Sequence, residues 1–143
     1  MNWRCAGGIL LAAGLTGCAS APDPGQACGT VSAYLQPDSR SDWYRVVVTH
    51  LDGKAVISRP NYALSPGVHE FTLAELIDDP TLKVALAARV PKNLSVTVAA
   101  DERYHLGAKF NKDRPYQGND PGYWQPGIWQ QEAHECRLSE SQR

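Results

Sequence analysis

Apolar and polar residues alternate along several stretches of this chain, and a period of two predicts strands with one buried face. Residues 94–98 and 103–110 alternate in this way, and Asp101-Glu102 between them predicts that the two strands form an antiparallel hairpin. A second hairpin is predicted for residues 44–51 and 54–59, because Asp52-Gly53 between them has the composition of a tight type I′ turn.

Residues 82–88 alternate as well and predict a further strand, and residues 29–35 and 68–71 are weaker candidates. One short helical turn is predicted at residues 72–77, where Thr72 and Glu75 have capping-box spacing and Pro80 follows. About seven strands with almost no helix predict an all-β fold. We expect a single antiparallel β-sandwich of the immunoglobulin-like or prealbumin-like type, with a small barrel as the alternative.

The first residues have the features of a secretory signal peptide: Arg4 precedes an apolar run from Cys5 to Leu15. The run is too short to cross about 30 Å of hydrocarbon as a helix. The segment Leu15-Thr16-Gly17-Cys18 resembles the lipobox of bacterial lipoproteins. That resemblance implies removal of residues 1–17 and acylation of Cys18, which makes the lipid bilayer a partner of the chain; an ordinary secreted protein is the alternative.

Residues 18–27 are small, proline-containing and without an apolar period, which predicts a tether of roughly 30 Å at most. Ala19 and Ser20 follow Cys18, and the absence of an inner-membrane retention aspartate there favours the outer membrane, on its periplasmic side. The sandwich domain is predicted at residues 28–137, and residues 138–143 form a polar C-terminal tail.

Cys28 and Cys136 remain after the leader has been removed and Cys18 has been acylated. In an oxidising compartment an even pair predicts one disulfide. The alternative is a reactive thiol or a metal ligand, since His134 lies close to Cys136.

Charge and motifs exclude several functions. The chain has 14 Lys and Arg against 15 Asp and Glu and no basic stripe, so nucleic-acid binding is not expected. No phosphate-binding glycine loop, nucleophile elbow or zinc-binding histidine pair occurs, so we expect no enzyme activity, no cofactor and no metal. Asp78-Asp79 and Asp101-Glu102 lie at predicted turns. His69 and His105 are expected at the surface or between strands.

Residues 112–129 are rich in aromatic residues, proline and glycine and predict a long loop. Its candidate ligand-binding residues are Tyr116, Tyr123, Trp124 and Trp129, which could stack on a glycan or a peptide if they are exposed. The alternative, which we favour, is that Trp124 and Trp129 fold back to cap the open end of the sandwich.

A wider resemblance covers most of the chain after Cys18. It rests on the segments Asp52-Gly53, Leu64-Ser65-Pro66-Gly67-Val68-His69, Tyr104-His105-Leu106-Gly107-Ala108-Lys109-Phe110, Tyr123-Trp124-Gln125-Pro126 and Glu135-Cys136. Together these segments resemble small envelope lipoproteins of Gram-negative bacteria with PEGA-like β-sandwich domains. The resemblance implies a membrane-anchored, non-catalytic module that binds another envelope protein or has a structural role. A glycan- or peptidoglycan-binding module that uses residues 116–129 is the alternative function.

Overall fold

The computed structural model describes residues 25–113 and 117–139 of the 143-residue chain. In chain order the strands are β1 Gln26–Ala27, β2 Gly29–Ser32, β3 Trp43–Tyr44, β4 Val46–Leu51, β5 Lys54–Ala55, β6 Asn61–Leu64, β7 Gly67–Glu75, β8 Lys83–Val84, β9 Lys92–Val98, β10 Glu102–Phe110, β11 Gln117–Gly118, β12 Trp124–Ala133 and β13 Arg137–Leu138. Short 3-10 turns cover Ser39–Ser41, Leu86–Ala88 and Pro121–Tyr123. In these described parts seven strands contain four or more residues, which confirms the predicted all-β class.

Two main sheets pack against each other as a β-sandwich. The four-stranded sheet has the order β5-β4-β7-β9, and the five-stranded sheet has the order β12-β10-β2-β6 with β3 also paired to β10. Their inner faces share one hydrophobic core, to which Phe71 and Leu73 contribute from β7 and Leu106 and Ala108 from β10. Because β2 runs parallel to β10, the five-stranded sheet is mixed rather than purely antiparallel as expected.

The predicted hairpin of residues 94–110 is wrong, although both of its strands exist. β9 pairs with β7 in the four-stranded sheet, whereas β10 lies inside the five-stranded sheet between β12 and β2. Residues 99–101 therefore carry the chain from one sheet to the other, and Asp101 adopts a φ of 57° in this connection. Alternation identified the buried face of each strand, but it carries no information about which strand lies alongside.

The predicted helical turn at residues 72–77 is also wrong, because β7 extends through Glu75. Phe71, Leu73 and Glu75 are buried along β7 with a period of two. This strand has β4 on one side and β9 on the other, so both edges of its backbone are hydrogen-bonded. The capping-box spacing of Thr72 and Glu75 is coincidental here.

Two further strand predictions are only partly correct. Residues 82–88 contain the two-residue β8 and then a 3-10 turn in which Leu86 is 86% exposed. Of residues 54–59, only Lys54 and Ala55 form a strand, and β6 at residues 61–64 was not predicted. The Asp52-Gly53 turn is confirmed: both residues have positive φ angles, 51° and 80°, and join β4 to β5.

Candidate functional site

The disulfide predicted between Cys28 and Cys136 is present, with a Cα–Cα distance of 5.2 Å. It links the residue that precedes β2 to the segment that follows β12, and both cysteines are buried. We call this part of the molecule the disulfide end. Both sulfurs are used in the link, so neither cysteine is a free thiol or a metal ligand.

Asp101 holds together the chain segments that meet at the disulfide end. Its backbone amide donates to the Cys28 carbonyl, and its own carbonyl accepts from the His134 amide. Its Oδ1 accepts from the Cys136 amide at 3.0 Å and from Arg137 Nη1 at 2.7 Å. These bonds, the Cys136 amide first and the Arg137 guanidinium second, hold the pKa of Asp101 below its ordinary value.

The antiparallel pair β1–β13 also belongs to the disulfide end. It places Gln26, Ala27 and Leu138 in paired strands, although the sequence assigns them to the tether and the tail. Leu138 packs with the two cysteines in a small hydrophobic cluster. Cys18 and the rest of residues 1–24 lie outside the described residues, as do residues 140–143.

The aromatic segment before β12 is built into the core at the opposite end of the sandwich. Trp124 is the first residue of β12, so the predicted loop of residues 112–129 is wrong from this position onward. Trp124 and Tyr123 are both 0% exposed, which leaves no face on which a ligand could stack. The predicted cap of Trp124 and Trp129 is therefore correct only for Trp124: Tyr123 is its partner in the cap, whereas Trp129 packs on His105. Tyr116 lies outside the described residues.

Tyr123 is part of a buried polar network with Glu75. Its hydroxyl donates to Glu75 Oε1 at 2.9 Å, and Glu75 Oε2 accepts from the Ile77 amide at 2.6 Å. Arg89 Nε lies 3.5 Å from Glu75 Oε1 and provides the opposite charge. Burial, followed by the bond to Glu75, raises the pKa of Tyr123 well above its usual range. Since both Glu75 oxygens and the Tyr123 hydroxyl have partners within the protein, this network stabilises the cap.

Lys92, the first residue of β9, binds the same cap to the four-stranded sheet. Its Nζ donates to the carbonyls of Pro121 and Trp124 at 2.7 and 2.6 Å and lies 5.2 Å from the centre of the Trp124 ring. Burial lowers the pKa of Lys92, but the two carbonyls and the ring favour the charged ammonium.

Trp129 and Trp43 cover the outer face of the five-stranded sheet. Gly107 and Gly127 lie opposite each other in β10 and β12, and a Cβ on Gly127 would come within 2.8 Å of the Trp43 ring. A Cβ on Gly107 would come equally close to Trp129, so both rings need this bare pair of glycines. The register of β12 shifts at Trp129, and this bulge turns its side chain onto β10. Both tryptophans are half-buried; sequence analysis did not identify Trp43.

His105 lies beneath these aromatic rings and is 1% exposed, so of its two expected places, at the surface or between strands, it occupies the one between strands. Its Nε2 is hydrogen-bonded to Glu132 Oε1 at 2.6 Å, and Arg103 Nη2 lies 2.8 Å from the same oxygen. The His105 bond, followed by that of Arg103, lowers the pKa of Glu132. Tyr34 and Trp129 pack against the imidazole with ring centres 6.3 and 5.8 Å away. Access of solvent or substrate to this histidine is therefore blocked.

In the other histidine–carboxylate pair, the histidine is hydrogen-bonded to two separate parts of the chain and stabilises the turn at Asp52. His69 Nδ1 lies 2.7 Å from Asp52 Oδ2, but its Nε2 faces the backbone carbonyl of Ser65 at 2.7 Å. Both ring nitrogens are therefore occupied by structural partners. Within residues 25–113 and 117–139 no cluster of three or more metal-ligating side chains occurs. No helix formed by those residues is long and apolar enough to span a bilayer.

A surface groove of about 190 Å³ lies where the two sheets approach each other beside β4 and β6. The residues that line it come from three segments: Ala33 and Tyr34, Arg45 to Val47, and Ser58 to Pro60. Arg40, Arg89, Arg103 and Arg137 each form an ion pair with a carboxylate. Among the arginines of the described segments, only Arg45 and Arg59, both in this groove, lack such a pair. The groove therefore combines positive charge with a partly exposed tyrosine.

No protein-family model, curated protein or solved structure matches this chain. Its function must therefore be argued from its own residues.

Proposed function

We propose that this chain is a lipid-anchored, non-catalytic protein of the bacterial cell envelope. Its β-sandwich serves as a protein-interaction or structural module at the periplasmic face of the outer membrane. The lipobox-like segment ending at Cys18 is the sequence feature from which the proposal starts. His69 has both ring nitrogens hydrogen-bonded and His105 is buried with its Nε2 bound to Glu132, which is consistent with a role that needs no chemistry.

The observation that carries the proposal is the position of β1. This strand pairs with β13 at the disulfide end, and only residues 19–25 separate it from Cys18. A lipid on Cys18 would hold the disulfide end next to the bilayer. The cap at Tyr123 and Trp124 would then face away from it by roughly 30 Å, the length of a ten-residue strand such as β12. The disulfide and the β1–β13 pair would give the lipid a rigid point of attachment.

Metabolic labelling tests the anchor. Cells that express the full chain are supplied with an alkyne analogue of palmitate, and the labelled protein is followed through membrane fractionation. We expect label on the wild-type protein in the outer-membrane fraction and none on the Cys18→Ser variant. Cys5→Ser is the matched control, because it changes a leader cysteine that the lipobox does not use. Label retained in Cys18→Ser, or wild-type protein found only in the soluble periplasmic fraction, would contradict the proposal.

The glycan-binding alternative has little support from the described residues. Tyr123 and Trp124 are buried, and Trp129 has its bulged side chain packed on His105. On Trp43, Lys109 Nζ lies 5.5 Å from the ring centre and competes with a sugar for the ring face. We therefore favour a protein partner.

A further inference from the structure

Among the strands formed by residues 25–113 and 117–139, β6 is the last of its sheet, and none of them pairs with its outer edge. The Ala33 amide donates to the Pro60 carbonyl at 3.0 Å, which fixes the alternation of hydrogen bonds along the β2–β6 ladder. Hydrogen-bonded and non-hydrogen-bonded pairs alternate from this bond onward. In the pairs Ser32–Asn61 and Thr30–Ala63, the two residues therefore share no backbone hydrogen bond. Asn61 and Ala63 therefore direct their N–H and C=O groups away from β2. Both residues are exposed, so a second backbone could pair with them.

The arginine-lined groove lies directly at the start of this edge. Arg59 and Pro60 line the groove and continue into Asn61. Arg45, which connects β3 to β4, also lines the groove, and Tyr34 adds an aromatic wall that is 41% exposed. A volume of about 190 Å³ is smaller than the roughly 300–1,000 Å³ of small-molecule sites, so it suits one side chain rather than a whole ligand. Guanidinium groups favour a carboxylate as that side chain.

We propose that the β6 edge and this groove together dock an extended acidic segment of a partner protein. The segment would add a strand beside Asn61 and Ala63, and one of its carboxylates would enter the groove to meet Arg45 and Arg59. Backbone pairing supplies affinity in this kind of recognition, and the side-chain pocket supplies specificity. This inference deepens the proposed function, on which it rests, by naming the surface of the module and the chemistry of its partner.

The test measures binding of a fluorescein-labelled Val-Glu-Val-Glu-Val-Glu peptide to the full chain in detergent micelles, by fluorescence anisotropy. We expect binding that weakens with added salt, and none by the same peptide with lysine in place of glutamate. Arg45→Gln with Arg59→Gln should weaken binding by about tenfold or more, since each lost charge-assisted hydrogen bond costs roughly that factor. Arg40→Gln, which removes an exposed arginine elsewhere, is the matched control and should bind like the wild type.

Ala63→Pro tests the strand addition separately from the charge. Proline at this position removes an outward-facing N–H and leaves the ladder to β2 in place. We expect this variant to lose most of the peptide affinity, and hydrogen exchange at Asn61 and Ala63 in the wild type to slow when the peptide binds. Equal binding by the double arginine variant would overturn the proposal. So would full binding by Ala63→Pro together with displacement of the peptide by inorganic phosphate, which would indicate a simple oxyanion site. Membrane fractionation of Cys18→Ser is unaffected by either result, so failure of docking and failure of the anchor are distinguishable.

Discussion

Reduction of the Cys28–Cys136 disulfide should lower the stability of the domain by several kcal/mol without changing its fold. The two cysteines are separated by 108 positions in the sequence. The chain-entropy model assigns a loop of that length about 16 cal/mol/K, or about 4.8 kcal/mol at 25 °C. Residual structure in the unfolded chain reduces this value, so we expect a loss of about 3–5 kcal/mol. In the folded state, the β1–β13 pair and the bonds of Asp101 still hold the same segments together after reduction.

Guanidinium denaturation of the oxidised protein, with and without a phosphine reductant, measures this loss directly. The matched control is the Cys28→Ala, Cys136→Ala double variant, whose unfolding midpoint the reductant should leave unchanged. We expect the reduced wild type and the double variant to unfold at similar denaturant concentrations and to have the far-ultraviolet circular dichroism of the oxidised protein. A reduced wild type that loses less than about 1 kcal/mol would refute the reasoning, because the loop-closure term is several times larger.

Three further substitutions test the packing and the charges. Gly29→Ala places a Cβ against the Ala99 carbonyl oxygen and the Val98 side chain, closer than van der Waals contact allows, so we expect a loss of about 3 kcal/mol in urea denaturation; an unchanged midpoint would contradict this close approach. Lys92→Met removes two charge-assisted bonds to the cap and should cost about 2 kcal/mol, with a red shift of the Trp124 emission as the second measurement. Hydrogen bonds from Thr81 lower the pKa of Asp79 in the folded state, so its stabilisation is present above the unfolded pKa of about 3.9 and is lost as the pH falls below it. Asp79→Asn should therefore be less stable than the wild type at pH 7, with a difference that shrinks steadily as the pH falls below about 4 towards the lower pKa of the folded state; a difference that does not shrink in acid would argue against this carboxylate.

The sequence pattern predicted which residues face the core more reliably than it predicted which strands are neighbours. Alternation located β4, β9 and β10, and Asp52-Gly53 located the turn between β4 and β5. The pairing of β10 with β2 depends on contacts between residues about 70 positions apart, and no local pattern records it. The helical turn predicted at Thr72 failed for the same reason, since strands β4 and β9 supply the hydrogen bonds that a helix would otherwise make internally.

The disulfide could be predicted because the resemblance to a lipobox leaves only two cysteines to pair with each other. The aromatic residues could not be placed in the same way. Trp124 is buried because it begins a strand, and Trp43 is held by a pair of glycines that only the register of β10 and β12 brings together. The groove between Arg45 and Arg59 joins residues from both sheets, and two separate arginines in the sequence give no sign of it.

The central position of β2 sets the order of events when such a chain is made. β2 follows directly after Cys28 but lies between β6 and β10, which are synthesised much later. If the chain is exported from its amino terminus, as proposed, β2 can complete its pairing only after β10 has also crossed the membrane. On this route Cys28 must also stay reduced until Cys136 has emerged. Closure of the disulfide would then report that translocation of the whole sandwich is complete.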